Sequence, residues 1–126
     1  MTRALAVACA MIPFAAAAVH AEEHSLLVTA SAYNSTAGQT AGNPFVGAWG
    51  DRLKPGIRAI AVSRDLLKLG LRRGTRVRIE GLEGEYRVLD KMARRWNKKI
   101  DIYMGIDEQA ARDWGVRRVR IRWSSD

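Results

Sequence analysis

A mainly β fold, a small closed barrel of six strands with two short helices, is the class this chain predicts. Three observations carry that reading. Six short runs read as strands, only two short segments carry helix signals, and no repeat, low-complexity stretch or linker divides the chain. So few and such short helices cannot cover a doubly wound sheet, whereas closing the strands into a barrel removes exposed edges. Local pattern does not give the strand order.

Leu26 to Tyr33 alternates and includes β-branched residues, the mark of a strand. Asn34 to Asp51 is rich in Gly, Ser, Thr and Asn and reads as a long loop carrying Phe45 and Trp49. The apolar run from Ile57 to Val62 is the clearest core strand. Ser63 fits a helix N-cap, followed by a short helix from Arg64 to Leu69 that stops at Gly70. Thr75 to Glu80 and Glu85 to Leu89 form a hairpin across Gly81-Leu82-Glu83-Gly84. Lys99 to Met104 is the next strand. A second helix spans Glu108 to Trp114, capped by Asp107 and ended by Gly115, and Val116 to Trp123 closes the chain.

The amino terminus reads as a secretory signal. Arg3 supplies the positive n-region, Ala4 to Val19 is small and apolar, and Val19-His20-Ala21 offers the small residues a signal peptidase inspects. The apolar run is too short and alanine-rich for a stable membrane span. Cleavage after Ala21 is expected, giving a periplasmic or secreted protein associated with the cell wall or outer membrane. The mature chain, Glu22 to Asp126, has 105 residues, enough for one domain, with a monomer as the expected state.

Processing also removes chemistry. Cys9 and His20 leave with the signal, so the mature chain has no thiol and His24 is its only histidine. That excludes Ser-His and Cys-His nucleophile systems and a histidine-rich zinc site. Acid-base work must rest on carboxylates, lysine or tyrosine. Without Arg3 the mature chain carries 20 Lys+Arg against 13 Asp+Glu, a net +7. Outside the cytoplasm such a balance points away from nucleic acid and toward the anionic groups of cell envelopes. Many arginines alternate through strands, as in Arg118-Val119-Arg120-Ile121-Arg122, which is also what a plain solvated barrel face requires.

Asp90 and Asp101 stand out among the acids. They lie eleven positions apart, one after the run Glu85 to Leu89 and one inside Lys99-Ile100-Asp101-Ile102-Tyr103. An acid between two isoleucines must pair or shift its pKa if it is buried. Two carboxylates on neighbouring strands could share a cleft, the arrangement that glycosidic cleavage uses. The alternative is a pair of half-exposed acids matched with nearby arginines.

In order along the chain, Thr29-Ala30-Ser31-Ala32-Tyr33, Ala59 to Leu67, Leu69-Gly70, Gly74 to Val77, Val88-Leu89-Asp90, Ile100-Asp101-Ile102-Tyr103 and Ala110 to Gly115 resemble the 3D domain family, named for its aspartates. The resemblance implies a double-psi β-barrel spanning Thr29 to Trp123, similar to the barrel of the MltA-type lytic transglycosylases, which cleave peptidoglycan strands. It implies Asp101 as the catalytic acid, with Asp90 beside it. Where many members carry their first aspartate, after an Ala-Val pair, this chain has Ser63, with Asp65 two positions on. The family's glycine-rich stretch is replaced by Lys91 to Lys99. That basic lip could hold acidic stem peptides through Arg94, Arg95, Lys98 and Lys99. Trp96 either stacks on a sugar ring or covers the barrel end.

The expected activity is therefore that of a peptidoglycan lytic transglycosylase. Asp101 would protonate the glycosidic oxygen between N-acetylmuramic acid and N-acetylglucosamine. It would then take the proton of the C6 hydroxyl as that hydroxyl closes a 1,6-anhydro ring. Asp90 would raise the pKa of Asp101 by repulsion or orient it through a shared proton. Tyr33, Thr36, Asp65, Trp96 and Lys99 are the candidate substrate contacts, glycan strands the partner, and no metal or organic cofactor is implied. A non-catalytic glycan-binding module on the same barrel is the alternative, and a water-using endoglucanase-like enzyme a third reading.

Overall fold

The computed structural model describes residues 22–36 and 42–125. Six strands, β1 (Glu22–Tyr33), β2 (Ala59–Val62), β3 (Arg76–Ile79), β4 (Tyr86–Lys91), β5 (Lys99–Tyr103) and β6 (Arg117–Ser125), close in the order β1-β5-β2-β4-β3-β6. β1 runs parallel to β5 and β2 parallel to β4, while every other pairing is antiparallel. Two short helices, α1 (Arg64–Lys68) and α2 (Glu108–Trp114), complete the mainly β barrel that the pattern predicts.

Alternation sorts each strand into an inner and an outer face. Val28, Ile60, Val62, Val77, Val88, Ile100, Ile102 and Ile121 turn inward and are fully enclosed. Each such side chain contributes about 1.5–3 kcal/mol through removal from water. Trp114 on α2 packs against this core and donates its indole N–H to the Ala30 carbonyl at 3.2 Å. A second, smaller cluster sits on the outer face, where Tyr33, Leu53, Ala59, Ala61, Met92 and Tyr103 pack together.

The element ends differ from the sequence expectation in instructive ways. β1 begins four residues before Leu26, because polar Glu22 to Ser25 pair with Arg122 to Ser125 of β6. Backbone pairing, not apolar alternation, sets that end. Ile57 and Arg58 fall outside β2, and α1 stops at Lys68, with Leu69 as its C-cap. Ser63 occupies the N-cap position of α1 without capping it by its side chain. Its hydroxyl instead accepts from the Lys99 N–H at 3.0 Å, tying β2 to β5. Asp107 does cap α2, accepting from the Ala110 N–H at 3.0 Å. The expected leader, 1–21, lies outside the described residues.

Candidate functional site

The isoleucines flanking Asp101 point into the barrel, so Asp101 points out of it. The apparent break in pattern is ordinary alternation. On that outer face the register aligns Ser31 of β1, Asp101 of β5, Ala61 of β2 and Asp90 of β4 in one row. Asp90 reaches the row through a β-bulge. Ile60 pairs with Val88 but Ala61 pairs with Asp90, so Leu89 is the extra residue and the phase of β4 shifts by one. Bulges re-aim side chains in this way. Without it, Asp90 would stand opposite inward-facing Val62.

The two acids are thus not on neighbouring strands, as the sequence reading expects, because β2 runs between them. Two strand spacings separate their Cα atoms by about 10 Å. No hydrogen bond joins the carboxylates among the described residues, and each has its own partners. Ser31 Oγ donates to Asp101 Oδ1 at 3.0 Å. Asp90 accepts from the Tyr33 hydroxyl at 3.3 Å, the Ala48 N–H at 2.7 Å and the Lys91 N–H at 2.9 Å.

Burial pushes the Asp101 carboxyl above the usual range, against the opposing effects of the Ser31 hydrogen bond and the Lys99 charge. The negative charge of Asp90 adds only the last contribution. The repulsion expected from the paired spacing is a minor cause, for the strand between them weakens it. Burial also drives the Tyr33 phenol far upward, helped by the charges of Asp90 and Asp101. Tyr33 is therefore a permanently neutral donor that senses both acids. The methyl side chains of Ala59 and Ala61 leave room for its ring within the outer cluster. Tyr103 meets that ring edge-on, with centroids 5.4 Å apart.

The segment around residue 47 closes the Asp90 end. A side chain at Gly47 would begin 2.4 Å from the Leu89 carbonyl oxygen, so only glycine lets this loop lie flush on the bulge. At the other end, Trp96 packs against the outer cluster, with Lys99 Nζ 3.7 Å and the Arg95 guanidinium 4.9 Å from its ring centroid. Lys99 thereby links Trp96 to the field at Asp101. Asp65 stands at the start of α1, where its Oδ2 accepts from the Lys98 N–H at 2.9 Å. Burial opposes its ionisation, but the nearby Ser63 hydroxyl and the backbone N–H groups of Lys98 and the start of α1 hold its carboxyl below the usual range. Thr36 is half-buried beyond Ser35, whose hydroxyl bonds that of Tyr103.

Of the sequence candidates, the structure gathers Asp101, Asp90 and Tyr33, with Trp96 and Lys99 at one lip. Asp65 binds the lip's backbone instead of joining the row. Sequence reasoning overlooked four members: Ser31, Ala61, Gly47 and Ala48. Ser31 alone left a signal, two residues before Tyr33 and hence on the same strand face.

Among solved structures, the chain is similar to apo-expansin of Clavibacter michiganensis, with 20% identity and a TM-score of 0.55. The likeness covers 82% of this chain and 52% of that one, so the chain spans about half of the expansin's length. What the two share is the fold, a barrel of the double-psi type. No protein-family model and no curated protein sequence matches the chain. No helix among the described residues is long and apolar enough to cross a membrane.

Proposed function

We propose that this barrel binds a cell-wall glycan strand across the Asp101–Asp90 face, with peptidoglycan as the polysaccharide. The observation that carries the reading is the outer-face row itself. Two acids held by separate donors present fixed acceptors to sugar hydroxyls, and Trp96 with Lys99 supplies an aromatic and cationic lip. Aromatic rings offer flat apolar area beside polar groups, the combination carbohydrate faces require. The expansin-like barrel supports a wall polysaccharide as the ligand.

A lytic transglycosylase is the second reading, and the raised pKa of Asp101 favours it. A carboxyl that retains its proton at higher pH is suited to act as a general acid. Asp101 would protonate the glycosidic oxygen and then, as a carboxylate, take the proton of the C6 hydroxyl that attacks the anomeric carbon. That hydroxyl already belongs to the reacting sugar, so its attack loses little translational entropy. The 3D-domain resemblance supports the same assignment.

Incubation with purified sacculi separates these readings. A bound fraction with no soluble fragments is the expected result for a binding module, and Trp96→Ala should reduce it. Soluble muropeptides ending in 1,6-anhydro-N-acetylmuramic acid, lost in Asp101→Asn, would establish the transglycosylase. Reducing-end products would point to a water-using hydrolase. Absence of both binding and fragments would refute the proposal.

A further inference from the structure

The barrel wall formed by β4, β3 and β6 carries an arrangement that neither the fold nor the aspartate face requires. Arg76 of β3 is directly opposite Arg87 of β4, and Arg78 of β3 is directly opposite Arg122 of β6. All four are exposed. Like charges directly across a ladder destabilise a sheet, and here two such pairs stand side by side. Compensation within the chain is slight. Arg78 meets Glu23 at 3.3 Å, an exposed pair of little worth, and the Arg76, Arg87 and Arg122 side chains have no hydrogen bond or ion pair among the described residues.

Arg76, Arg78 and Arg122 border a groove of about 610 Å³ whose rim also includes Arg72, Arg73, Glu23 and Glu85; Arg87 stands across the ladder from Arg76, outside it. Arg73 is taken up by Asp51, which leaves the groove positive despite its two glutamates. At the groove, Trp123 Nε1 has no acceptor among the described residues.

We propose that this wall binds a phosphodiester polymer, at a site separate from the glycan face and independent of that reading. A carboxylate offers two coplanar oxygens, which one guanidinium fork can satisfy. A phosphate is tetrahedral, so forks projecting from two strands reach different oxygens of one group. Each opposed arginine pair is such a double fork, and a phosphate between them converts repulsion into two charge-assisted contacts. The pairs are two residues apart along β3 and on opposite sides of it, so their centres lie about 8 Å apart, close to the spacing of neighbouring phosphates on an extended chain.

The test uses poly(glycerol phosphate) as probe and poly-L-glutamate of similar length as the carboxylate comparison. The full mature chain should bind the phosphodiester polymer at least tenfold more tightly than the polyglutamate. Arg76→Gln/Arg122→Gln, which breaks both pairs, should weaken phosphodiester binding at least tenfold and lower the slope of log K against log salt by about 2. Without ligand its melting temperature should match or exceed that of the wild type, because repulsion is relieved. Arg76→Lys/Arg122→Lys preserves charge without the forks and should lose affinity severalfold. Arg94→Gln/Arg95→Gln, on the lip, should bind within twofold of wild type. Equal affinity for polyglutamate, equal loss in the lip variant, or no binding by the wild type would overturn the proposal.

Discussion

Gly47→Ala is the sharpest probe of how the aspartate face is assembled. Its backbone is free of the left-handed strain seen at other glycines here, so the substitution acts through space alone. The new Cβ would sit 2.4 Å from the Leu89 carbonyl oxygen, whereas ordinary contact begins at 3.4 Å. Loop and bulge must separate by about 1 Å. A shift of that size stretches the 2.7 Å bond from the Ala48 N–H to Asp90 beyond hydrogen-bonding reach. A bond to a charged acceptor contributes about 1.5–3 kcal/mol, and exposure of this one puts the expected loss near 2 kcal/mol. In urea titrations the midpoint should fall by about 1–2 M with an unchanged slope. Sacculus binding should weaken as well, since Asp90 loses one of its anchors. Gly50→Ala provides the contrast. It meets open space but has a φ of +91°, so it should lose about 1 kcal/mol through strain while leaving the Asp90 contact intact. A Gly47→Ala variant within 0.5 kcal/mol of wild type would refute this account.

Further expectations concern the acids and the chain's amino end. Asp101 has a pKa raised above its unfolded value, so the folded state holds more protons between the two values and stability falls as pH rises through that window. Asp101→Asn should therefore melt higher than wild type at neutral pH, with the difference fading below the ordinary carboxylate range; a variant less stable at neutral pH would contradict the buried-acid reading. If Asp101 is the general acid, the same variant should lose at least about 100-fold in muropeptide release. Tyr33→Phe removes a long hydrogen bond to Asp90 and should destabilise by about 1 kcal/mol, measured by urea titration, with little change in fold by circular dichroism. If the leader directs export, intact-mass analysis of the protein expressed in a secreting host should find Glu22 as its first residue, whereas retention of Met1 or a lipidated Cys9 would overturn the leader assignment.

Six strands and two helices were legible in the sequence because alternation, Asp107 and the glycine stops are local signals. So was the prominence of Asp101, an acid between two isoleucines, although ordinary alternation puts it on the outer face. Closure order was not legible, since pairing β1 with β5 and β2 with β4 depends on contacts distant along the chain. The site divides in the same way. Tyr33, Asp90 and Asp101 are chemically conspicuous residues, whereas Ser31, Ala61, Gly47 and Ala48 contribute a hydroxyl, a methyl, an absent side chain and a backbone N–H. Residue type alone assigns none of those roles. The bulge at Leu89 decides that Asp90 faces outward, and the strand between the acids decides that burial, not mutual repulsion, dominates at Asp101. Both outcomes are set by register, which short-range pattern does not encode because a slip of one residue changes the face but not the composition.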